Sequence, residues 1–179
     1  MRPTQKIAVS GMLTALAGML MLLANVVPSG SYAVPAGAGA IVYIISFTVD
    51  RTYAWTAFAA VSLLGFFLCG DKEAVCAFVL FFGYYPLVKR LLEKIRLWPL
   101  VWLLKLLVFN AAALVTYWLL LKVFGLPEDS FQIFGVSLPW VLLVLLNGMF
   151  CVYDYAFTRF FLWGEPRINR FVTNLCRRF

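Results

Sequence analysis

Apolar residues fall in six long runs, separated by short breaks rich in glycine, proline or charge. The first is Ile7–Val27, led in by Arg2 and Lys6 and stopped by Pro28-Ser29-Gly30. It is longer than the ~7–15 apolar residues of a secretory signal and is read as a helix. Ala33–Val49 follows, with Pro35 at a first helical turn. Asp50-Arg51 marks a tight turn before Tyr53–Cys69, and Gly70-Asp71-Lys72-Glu73 is the next loop. The fourth run, Ala74–Val88, continues to about residue 91 as Lys89 and Arg90 begin a charged stretch, and Pro86 is expected to kink it. Pro99–Leu121 is the fifth, and Val136–Trp163 the sixth, long enough to tilt. At ~20 residues per bilayer crossing, the pattern predicts an all-α polytopic integral membrane protein of six transmembrane helices, one domain over residues 1–179.

Composition sharpens this. Hydrophobic residues make up 64% of the chain against ~45–50% in soluble domains, an excess that one globular core cannot hide. Basic residues set orientation. Arg2, Lys6, Arg51, Lys89, Arg90, Lys94, Arg96, Lys105, Arg159, Arg167, Arg170, Arg177 and Arg178 fall on one side, and only Lys72 and Lys122 on the other. Six spans reproduce that alternation with both termini in the cytoplasm, whereas five would put the C-terminal arginines outside. After Gly164, Glu165-Pro166 reads as a helix start. Ile168, Phe171, Val172, Leu175 and Phe179 then form one apolar stripe, so 165–179 is expected to be a short amphipathic helix lying on the anionic inner leaflet.

The net charge of +7 is carried by loops between apolar runs, which is a membrane-orientation pattern, so no nucleic-acid partner is inferred. Histidine is absent, and Cys69, Cys76, Cys151 and Cys176 have no CxxC spacing, so no metal site is expected. Cys69 and Cys76 flank one loop and are either bridged or two buried thiols. The chain has no HExxH, GxSxG or P-loop, so neither an enzyme nor a cofactor is expected, and active transport would need an energising partner.

Three constellations remain. Ala8, Gly11, Ala15 and Gly18 share one face of helix 1, and small residues let helices approach closely in lipid. The face packs either within the chain or against a separate subunit. Asn110 and Asn147 fall near the bilayer centre on antiparallel neighbours, where they bond to each other or to a ligand. Asp154 lies in the inner half of helix 6, an intramembrane ionisable residue whose local alternative is an ion pair with Arg159 or Lys105. Tyr32, Tyr117, Trp118 and Trp140 sit at the outer level, as an interfacial belt or as walls for a small amphipathic ligand.

The basic N-terminus running into a small-faced helix 1, Ser31 to Gly39, and the stretches Asp71-Lys72-Glu73-Ala74 and Phe82 to Lys89 resemble the substrate-binding (S) component of energy-coupling-factor (ECF) type ABC transporters of Gram-positive bacteria. The resemblance implies a bacterial cytoplasmic-membrane protein whose helix 1 docks on a transmembrane coupling protein driven by two cytoplasmic ATPases. The family's Ala-xxx-Ala pattern maps onto Gly11 and Ala15, with glycine for the first alanine and with Ala8 and Gly18 extending it. The resemblance also implies a vitamin or trace nutrient held on the outer side, and by location Tyr32, Asn110, Tyr117 and Asn147 are its contact residues. The alternatives are a small structural or regulatory membrane protein with no substrate, and an oligomeric channel or secondary carrier. The last is poorly equipped for a proton relay, with one deep carboxylate and no histidine.

Overall fold

A computed structural model describes residues 2–26, 32–93, 98–122 and 139–178. Among these, 91% of residues are helical and none is in a strand. There are six helices: α1 (Pro3–Leu23), α2 (Ala33–Thr48), α3 (Arg51–Leu68), α4 (Lys72–Leu92), α5 (Trp98–Lys122) and α6 (Pro139–Arg178). Four of them, α1, α3, α4 and α5, are long and apolar enough to cross a membrane, and α2 is a shorter apolar helix. The expected ends at Val27, Val136 and Phe179 lie outside the described residues.

Local chemistry places the breaks. The Arg2 amide donates to Gln5 Oε1 at 2.9 Å, opening α1 with Pro3 in its first turn. Asp50 accepts from the Arg51 amide and starts α3 one residue after Val49. Asp71 accepts from the Ala74 amide at 3.1 Å and caps α4.

Helix α4 is interrupted where Pro86 predicts. Lys72–Ala77 is α-helical, Phe78–Phe82 is a π turn closed by Gly83 N–H to Phe78 C=O at 2.7 Å, and α-helix resumes over Tyr85–Leu92. Pro86 has no N–H to offer the Phe82 carbonyl and its ring crowds it, so the chain takes up the mismatch in the preceding turn. That carbonyl packs directly against Gly39 of α2, where any Cβ would overlap its oxygen. Glycine is required here by close approach.

Helix directions alternate. Lys6 pairs with Asp50 at one end of α1 and α3, and Met21 reaches Gly65 further along both. Gly39 meets Phe82 and Ser46 meets Arg90, so α2 and α4 are parallel. Rings of Phe81 and Phe150, then Lys89 and Thr158, make α4 and α6 parallel as well. Helix α5 is antiparallel to α6, with Lys105 against Asp154, Phe109 stacked on Phe150 and Asn110 against Asn147. Lys6, Asp50, Arg90, Glu93 and Lys105 therefore gather at one end, and Asn25, Tyr32 and Asp71 at the other.

One expectation is corrected. The tail is not a separate surface helix beginning at Glu165-Pro166, because α6 runs unbroken from Pro139 through Pro166 to Arg178. A proline's φ of about −65° is helical, so Pro166 continues the helix at the loss of one backbone bond. At ~1.5 Å per residue α6 is ~60 Å long, about twice the thickness of a hydrocarbon core.

Candidate functional site

The small face of helix 1 divides. Ala8, Gly11 and Ala15 point out of the fold together with Met12 and Met19, and a Cβ added at Gly11 would meet nothing within 4 Å. The opposite face, Ser10, Ala17 and Met21, is buried against the chain's own helices. Gly18 belongs with the packed side, its Cα facing Leu64 of α3.

The two asparagines are brought together as a reciprocal pair. Asn110 Nδ2 donates to Asn147 Oδ1 at 3.0 Å, and Asn147 Nδ2 returns the bond to Asn110 Oδ1 at 2.9 Å. Each amide gives its remaining hydrogen to the carbonyl four residues back, Leu106 and Leu143, at 2.8 Å. All four donors are thereby engaged, which leaves only acceptor lone pairs for any ligand. Tyr117 is half-buried two turns further along the same face of α5. Tyr32 stands exposed at the start of α2, at the other end of the molecule from the charged cluster below. Partial burial first, then the Glu73 and Asp71 carboxylates, raise its phenol above the ordinary range. Asn110 and Asn147 are thus in direct contact, whereas Tyr32 stands at the Asn25–Asp71 end of the molecule.

Next to Tyr32, Asn25 holds the α3–α4 turn. Its Oδ1 accepts from the Gly70 amide at 2.7 Å and the Asp71 amide at 3.3 Å. Cys69 and Cys76 are both free and buried, so they are not bridged.

Asp154 is the centre of a buried ionic cluster. It is 2% exposed and accepts from Tyr85 Oη at 2.6 Å and from Lys89 Nζ on one oxygen, and from Lys105 Nζ at 2.9 Å on the other. Lys89 also donates to the Asp154 carbonyl at 2.8 Å and to Thr158 Oγ1 at 2.6 Å, which accounts for its three hydrogens. Lys105 also reaches Glu93 Oε1 at 3.0 Å and lies over the Trp102 ring. Of the two local partners expected for Asp154, Lys105 is found. Arg159 instead donates to Tyr155 Oη and lies over that ring.

Lys89 and Tyr85 as partners of Asp154, and Glu93 as a partner of Lys105, are absent from the sequence reading. Both lysines count among the inner-side basic residues of the sequence, yet they are 3% and 4% exposed. The signal was available. Lys105 lies well inside the apolar run 99–121, and Phe81, Tyr85 and Lys89 repeat every four residues, one face of α4 turned to α6.

Chemically the cluster is closed. Its carboxylate carries three side-chain donors, two on one oxygen and one on the other, and its charges offset one another where a lone charge would be costly. Tyr153 Oη and Ser62 Oγ are buried with no hydrogen-bond partner. Among the described residues no three His, Cys, Asp or Glu side chains gather to hold a metal ion. Set against known protein families, curated proteins and solved structures, the chain matches none of them.

Proposed function

We propose that this chain is the membrane-embedded substrate-binding subunit of an ECF-type transporter. In this reading it crosses a bacterial cytoplasmic membrane six times with both termini inside. It captures a vitamin or other small micronutrient outside, for ATP-driven uptake by a transmembrane coupling protein and two cytoplasmic ATPases. The observation that carries the reading is the outward face of α1. Ala8, Gly11 and Ala15 are exposed, a Cβ at Gly11 would meet nothing within 4 Å, and a surface meant only for acyl chains gains nothing from small residues. A second helix does, because small residues let backbones approach. Orientation rests on the basic residues. Taking the buried Lys89 and Lys105 out of the thirteen leaves eleven against two, with the same sign.

The test is ligand-dependent melting of the detergent-solubilised protein against riboflavin, thiamine, biotin, folate and pantothenate. One compound at ~100 times its Kd should stabilise by ~2.7 kcal/mol. Silence from all of them, with no coupling protein or ATPase copurifying, contradicts the proposal.

The reciprocal asparagine pair favours a second reading, a structural or regulatory membrane protein with no substrate. It predicts that Asn110→Leu with Asn147→Leu leaves every functional readout intact, whereas loss of ligand-dependent melting in that double variant argues for the transporter.

A further inference from the structure

Two polar links hold α5 to α6, and they differ in kind. The Asn110–Asn147 pair is neutral and reciprocal. The Lys105–Asp154 link is charged and lies five residues earlier on α5, ~7.5 Å along the helix. The charges around Asp154 also have unequal freedom. Lys89 commits its hydrogens to Asp154 and Thr158 and lies 3.8 Å from Glu93, a longer ion pair, so Lys89 and Asp154 form the neutral, more fixed pair. Lys105 bridges two carboxylates: Asp154, whose side chain is 3% exposed, and Glu93, whose side chain is 42% exposed. Remove Glu93 and two ammonium groups face one carboxylate inside the protein, an excess positive charge away from water. A lysine stem is long enough to carry its ammonium out to the aqueous side.

We propose that Lys105 is a movable bolt. Seated between Glu93 and Asp154, it fixes the first turns of α5 to α4 and α6. Withdrawn to water, it leaves Lys89–Asp154 intact and frees that end of α5 to pivot about the Asn110–Asn147 pair. Glu93, the exposed member, sets the balance between the two positions. Val101, buried at this end of α5, marks the packing that withdrawal would open. The proposal does not depend on what the chain transports or docks with.

Hydrogen–deuterium exchange on the full-length protein in phosphatidylcholine nanodiscs tests it, comparing wild type with Glu93→Gln and Lys105→Met. Both variants should speed exchange of residues 99–105 by roughly tenfold while leaving 112–119, beyond the asparagine pair, within about twofold. Unchanged exchange over 99–105 in both variants overturns the proposal, and so does a uniform rise along all of α5. If Glu93→Gln fails to give a monodisperse protein, Lys105→Met decides alone, because it removes the bolt and its buried charge together. Asp154→Asn breaks the fixed pair and should also speed exchange in the second half of α4. Protection there equal to wild type would show that Lys89–Asp154 is not the fixed member, and would overturn the assignment.

Discussion

Helices α1 to α3 and helices α5 to α6 are held by different chemistry, although α2 also meets α6 directly where Tyr43 packs edge-on against Phe161. Among the first three the buried contacts are small and aliphatic, Ala17, Ala38, Val42, Ala54, Ala57 and Val61, and the polar links between them sit at the ends, Lys6 with Asp50 and Asn25 at the α3–α4 turn. Around α5 and α6 the contacts are aromatic, Phe81, Tyr85, Phe109 and Phe150, and the polar links are internal. Lipid chains are as apolar as leucine, so burial alone does not drive helices together in a bilayer, and close packing and hydrogen bonds must. Small-residue packing leaves α1 with a second small face, Ala8, Gly11 and Ala15, exposed. Internal hydrogen bonds fix register and use up their donors.

The contrast breaks most sharply at Asp154. Replacing it by Leu strands two buried lysines and should cost ~3–5 kcal/mol in denaturant or thermal unfolding in detergent. Lys89→Met, Asp154→Leu and Lys105→Met together should recover most of that, since apolar groups of similar volume often replace a buried ionic triad without loss. If the triple variant is as unstable as the single one, the centre does more than balance charge.

Among α1 to α3 the sensitive position is Gly39. Gly39→Val must push the Phe82 carbonyl away and should cost ~1–3 kcal/mol by the same measurement. A neutral Gly39→Val would mean that the α2–α4 contact is looser than its geometry.

Smallest, and opposite in sign, is Tyr153→Phe. Removing a buried hydroxyl without a partner should leave stability unchanged or raise it by up to ~1 kcal/mol. A loss would show that Tyr153 has a partner in the working protein, a water or a ligand.

Much of this arrangement was legible in the sequence, and the exceptions have physical causes. The helix positions followed from apolar runs broken by Pro28, Asp50 and Gly70, and Asn110 with Asn147 from equal depth on antiparallel neighbours. Lys105 is already a candidate partner of Asp154 in the sequence, but counting basic residues by side treats every lysine as solvated, and only the fold reveals that Asp154 draws in Lys89 as well. The interruption of α4 was readable from Pro86, but its π turn depends on Gly39 opposite, a contact 43 residues away in the chain. At Pro166 local sequence is ambiguous, since a proline fits the first turn of a new helix and, with one lost bond, the interior of a continuing one.

The central claim is that the outward face of α1 is kept small for a partner helix. Gly11→Leu and Ala15→Leu in the full chain, coexpressed with the coupling protein and both ATPases, test it by measuring melting and copurification side by side. The account predicts stability within ~0.5 kcal/mol of wild type, because Gly11 faces open space and Ala15 is exposed. It also predicts at least a roughly tenfold loss of complex, or ~1.4 kcal/mol of association. Undiminished assembly in both variants, or a fall in melting with assembly retained, would contradict it.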